Sequence, residues 1–124
     1  MTNDKQSTDE QPQFGETRSL QQLKTPIGTL HITKMEPRLS SGGMWAEGII
    51  AGHRFCALTF SMPARHAEWE INRNSGISKL WLQRIDDQVV VYNWDRGLDM
   101  PPKTELAASI ARLLADHLAD FIWF

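Results

Sequence analysis

The chain has 124 residues, 41% of them hydrophobic and 23% charged, which is material for one globular domain with one core. Its 13 Lys and Arg against 15 Asp and Glu give a formal net charge of −2, so no global charge excess calls for nucleic acid or an anionic membrane. Residues 25–100 carry eight basic and eight acidic groups, so the balance is also local. The single cysteine, Cys56, excludes an internal disulfide, and no run approaches the roughly 18 apolar residues of a membrane span. With no apolar run in Met1–Gln6 to suggest a secretion signal, the expected location is cytoplasmic.

Residues 1–18 are rich in Gln, Thr, Asp and Glu and predict a disordered tail, leaving residues 19–124 as a single α+β domain. Ile27 to Met35 reads as a strand, with Leu30 and Ile32 alternating with Thr29, His31 and Thr33. Met44 to Ile50 and His53 to Phe60 read as a hairpin turning at Ala51-Gly52. Ser61 to Gly76 is a long irregular connection, with a short edge strand expected near Trp69 to Ile71. Ile77 to Ile85 and Val89 to Trp94 form a second hairpin around Asp86-Asp87. Beyond Pro101-Pro102 a helix is expected, capped by Asp99 or Thr104. Its apolar stripe is Leu106, Ile110, Leu113, Leu114, His117, Leu118, Phe121 and Ile122. The expected fold is therefore α+β: an antiparallel sheet of about five strands, built from hairpins and a meander, packed on one C-terminal amphipathic helix.

His66, Glu68 and Glu70 would share one side of an extended segment, as some metal sites require, but no second cluster supplies a further strong ligand, and there is no Cys pair. A solvated charged loop is the preferred reading, and neither a metal nor a cofactor is expected. Cys56 lies mid-strand and reads as a small buried residue, not a thiol nucleophile. Phosphate-binding and nucleophile-elbow motifs are missing, so an enzyme is not expected. The five tryptophans read mostly as core. Arg54, Arg65, Arg73, Lys79, Arg84 and Arg96 lie among Trp69, Trp81, Tyr92 and Trp94, a mixture that could stack single-stranded bases, although acidic residues balance it. The preferred class is a protein-binding module, because Trp and Arg dominate interface hot spots. The candidate partner-binding residues are Arg65, Trp69, Arg73, Trp81, Trp94 and Arg96. A small nucleic-acid-binding regulator is the alternative, and a homodimer is compatible with either reading.

Three stretches carry a resemblance: Met44-Trp45-Ala46-Glu47-Gly48-Ile49-Ile50-Ala51-Gly52-His53-Arg54-Phe55, Glu68-Trp69-Glu70-Ile71-Asn72 with Gly76 to Leu82, and Tyr92-Asn93-Trp94-Asp95-Arg96-Gly97-Leu98-Asp99. Their order resembles a family of small uncharacterised bacterial proteins, many carried by plasmids, phages or integrated elements, over about residues 44–99. The chain departs from it at Glu70, where the family tends to have glycine after the aromatic, so a different local turn is expected. The resemblance brings no activity or catalytic residue. It implies a context: an accessory protein of a mobile genetic element that acts stoichiometrically on a bacterial defence or gene-control complex, as an anti-CRISPR-like inhibitor would.

Overall fold

The computed structural model describes residues 20–124; the tail expected at residues 1–18 lies outside them. Among the described residues, seven strands form one antiparallel sheet in which spatial order follows chain order. They are β1 (Gln21–Thr25), β2 (Gly28–Pro37), β3 (Met44–Ile50), β4 (His53–Thr59), β5 (Ile77–Arg84), β6 (Val90–Asp95) and β7 (Leu98–Met100). The helix α1 (Glu105–Trp123) follows them. The α+β architecture agrees with the alternation and helical periodicity of the sequence, but the expected strand count falls short by the two edges. Only Leu23 is apolar in β1, and β7 has three residues, so neither carries a usable periodic signal. Pairing with a neighbour makes them strands, because their backbone groups are satisfied across the ladder.

The register decides which side chains meet α1. Phe55 lies between Gly48 and Leu82, and Ala57 between Ala46 and Leu80. All of these are buried, as are Leu30, Ile32 and Ile50 on the same side. Gly48 is required there: a Cβ would come within 2.6 Å of the Phe55 ring, which lies over it. The two-residue turn after β3 works as expected, since Ala51 and Gly52 both take positive φ, as tight hairpins need.

The Thr104 hydroxyl, and not Asp99, caps α1 by accepting from the Ala107 N–H at 2.9 Å. Ile110, Leu114 and Leu118 are buried, but Leu106 and His117 of the expected stripe are exposed. Ala107, Ala111, Ala115 and Ala119 take the contact instead. The helix is rolled toward its small residues, which let its axis approach the sheet. Each large aliphatic buried here contributes about 1.5–3 kcal/mol.

The tryptophans differ from expectation more sharply. None of the five is fully buried, and Trp94 alone joins the rim of the main core. Aliphatic residues with Phe55 and Tyr92 fill that core. Trp45 and Trp81 stand on the sheet face away from α1, as their alternation with buried Ala46 and Leu82 dictates. Among the described residues, no helix is long and apolar enough to cross a membrane.

Candidate functional site: a basic cleft at one end of the sheet

The connection between β4 and β5 is built around one buried carboxylate. Glu70 is 2% exposed, and its two oxygens accept from the backbone N–H of Ala64 at 2.7 Å and of Gly76 at 3.0 Å. Its own N–H donates to the Ala67 carbonyl, and its carbonyl accepts from Arg73 N–H. These bonds curl the chain into two 3-10 turns, Ala67–Trp69 and Ile71–Arg73, in place of the expected edge strand. Asn72 and Arg73 take φ of 58° and 66°, a left-handed pair that ends the second turn. Glu70 itself is extended, with φ −99°, so the position where the resembling family tends to have glycine needs no glycine-only backbone here. From the sheet, the Trp94 indole N–H donates to the Trp69 carbonyl at 2.9 Å, fixing the loop to β6.

This scaffold places Trp69 and Arg65 beside the last residues of β4 and the first of β5. Arg38, after β2, and Arg96, in the β6–β7 turn, reach the same end of the sheet. Together with Phe60 and Lys79 they line a cleft of about 480 Å3. The Arg96 guanidinium lies 6.0 Å from the Trp69 ring centre and that of Arg38 lies 5.7 Å from Phe60, both within cation–π range. His66 packs on Trp69 with ring centres 4.4 Å apart and pairs with Glu68 at 3.8 Å. His66 and Glu70 thus point to different environments, and the extended-segment geometry weighed for a metal does not form. Among the described residues, no three His, Cys, Asp or Glu side chains gather as metal ligands.

Of the six partner-binding candidates, Arg65, Trp69 and Arg96 converge on the cleft. Arg73 is exposed beside a separate hollow with Asn74 and Phe124. Trp81 belongs to the open sheet face near Cys56, and Trp94 serves as the strut that holds the loop. Sequence reasoning passed over Arg38 and Phe60, because nothing local marks a strand-end residue as neighbour to a loop far along the chain. Burial pushes the Cys56 thiol above its ordinary pKa; Glu47 adds to the effect and Lys34 opposes it. A thiol so placed is a weaker nucleophile than a free one.

The matched family model runs over residues 44–119, from the start of β3 to the last turns of α1, and carries the description "Domain of unknown function (DUF7678)". The chain belongs to the DUF7678 family. No curated protein and no solved structure was found to be similar to it. Within this DUF7678 chain the matched span holds Phe60, Arg65, Trp69, Lys79 and Arg96 of the cleft, whereas Arg38 precedes it.

Proposed function

We propose that this protein acts by stoichiometric binding: the cleft receives a protein partner, and no chemistry is done there. The observation that carries the reading is the convergence of Arg65, Trp69 and Arg96 with Arg38 and Phe60 on one concave site. Arg and Trp are the residue types that anchor interfaces, and anchors work best when held in place before binding. Glu70 and Trp94 provide that hold by bonding to the loop backbone. The biological setting we propose is that of an accessory protein of a mobile genetic element, acting on a bacterial defence or gene-control complex in the manner of an anti-CRISPR-like inhibitor. The resemblance over residues 44–99 supports that setting.

The test is affinity capture from a bacterial lysate with tagged native protein and with Trp69→Ala and Arg96→Ala. Arg84→Ala serves as a control, because Arg84 lies at the far end of β5 in a pair with Asp87. A stoichiometric protein band held by the native chain and the control, and lost in both cleft variants, is expected. Equal capture by all four proteins would remove the cleft from the function.

A further inference from the structure

Arg38, Arg65, Lys79 and Arg96 all face the cleft, and none of its lining residues is acidic. Among the described residues, the carboxylate paired with them is Asp95, 3.6 Å from Lys79 and 3.7 Å from Arg96. Four cations against one carboxylate leave a surplus of three positive charges. Arg38 spends its Nε–H on the Gly42 carbonyl at 2.9 Å, and no described residue pairs with the Arg65 guanidinium. Among the described residues the positive charge of the site is not balanced, and it suits an anionic occupant.

The aromatic rings decide which kind. Single-stranded nucleic acid is held by stacking its bases on free aromatic faces. Trp69 already carries the His66 ring and the Arg96 guanidinium, and Phe60 carries that of Arg38. A base would have to displace a cation to stack. A carboxylate would not, because a guanidinium laid against a ring still offers its fork of N–H donors. Between the cations lies apolar surface: Met62 is 72% exposed beside Phe60. An extended peptide places alternate side chains on one side, about 7 Å apart. Acidic side chains can therefore reach separate arginines while an apolar one covers Met62.

We propose that the cleft takes an extended acidic segment of the partner protein, with Asp or Glu side chains flanking an apolar one. This rests on the binding reading above and names the chemistry of its partner.

The test is calorimetric titration of the full chain with a short synthetic peptide in which glutamate and leucine alternate at every second position with serine between, so that both share one side when extended, with its glutamine counterpart, and with an oligothymidylate. The glutamate peptide should bind and weaken as salt rises. Its affinity should fall about tenfold in Arg65→Ala and in Arg96→Ala, the scale of a lost charge-assisted hydrogen bond. Arg54→Ala, a basic residue outside the cleft lining, should leave the affinity unchanged. The glutamine peptide should bind at least tenfold more weakly. Equal affinity for both peptides, binding of neither, or binding of the oligothymidylate alone would overturn the proposal, the last in favour of nucleic acid. If the peptides fail while Trp69→Ala and Arg96→Ala still abolish capture of a protein, only the acidic-segment inference falls. If those variants capture that protein normally, the binding reading falls and takes the inference with it.

Discussion

Replacing Glu70 tests whether the loop that shapes the cleft is organised by its carboxylate. Glu70→Gln preserves volume but changes the bonding. The amide oxygen can still accept one of the two backbone N–H groups, whereas the amide NH2 would face the other as donor against donor. Ala64 N–H and Gly76 N–H both donate to this nearly buried carboxylate, so one of them loses its protein acceptor. A hydrogen bond to an ionised group contributes about 1.5–3 kcal/mol, and an unsatisfied buried donor costs about 1–3 kcal/mol. One bond weakened and one donor orphaned sum to roughly 2–4 kcal/mol, a large share of the stability of a small domain. At roughly 3–6 °C per kcal/mol, between the ranges for smaller and larger domains, the melting temperature should fall by about 6 °C or more. Glu70→Asp keeps the carboxylate but is one methylene shorter and sets it back from both donors, and should fall between native and Gln. The assay is thermal and urea unfolding by circular dichroism, with tryptophan emission reporting on Trp69 and Trp94 at the loop–sheet contact. A Glu70→Gln protein melting within about 2 °C of native, with unchanged emission, would refute the idea that this carboxylate holds the loop.

Three further outcomes follow from burial. Leu114 is 1% exposed in the middle of α1, so Leu114→Ala should cost about 2–5 kcal/mol in urea unfolding, and an unchanged midpoint would contradict helix-on-sheet packing. Because burial raises the Cys56 pKa, the thiol should alkylate more slowly than a free cysteine at mildly alkaline pH. The same shift fixes a sign for stability. Below the ordinary thiol pKa the group is neutral in both states and has no effect on the slope. From there up to the raised folded value the unfolded chain ionises first, so stability falls with rising pH. Cys56→Ala should abolish that part of the decline and leave the later part from Tyr92, which burial raises in the same way.

Much of the local structure was legible in the chain because it follows from local causes. The two-residue turn at Ala51-Gly52, the turn at Asp86-Asp87 and the Thr104 cap each depend on neighbours a few positions away, as does alternation along β2. What required the tertiary structure depends on distant partners. β1 and β7 exist by pairing with longer neighbours, not by pattern. The roll of α1 onto its alanines is set by how closely a helix can approach a sheet, which an apolar stripe alone does not specify. The tryptophans look like core residues by composition, yet strand parity sends Trp45 and Trp81 to the face that α1 does not cover. Glu70 reads as a solvated loop charge until its two N–H donors are seen folding back on it. The cleft is the furthest from local reading: Arg38 and Arg96 stand far apart in sequence and meet because antiparallel strands return the chain to the same end of the sheet. Side-chain type determined what each residue can bind, but only the course of the strands decided which of them bind together.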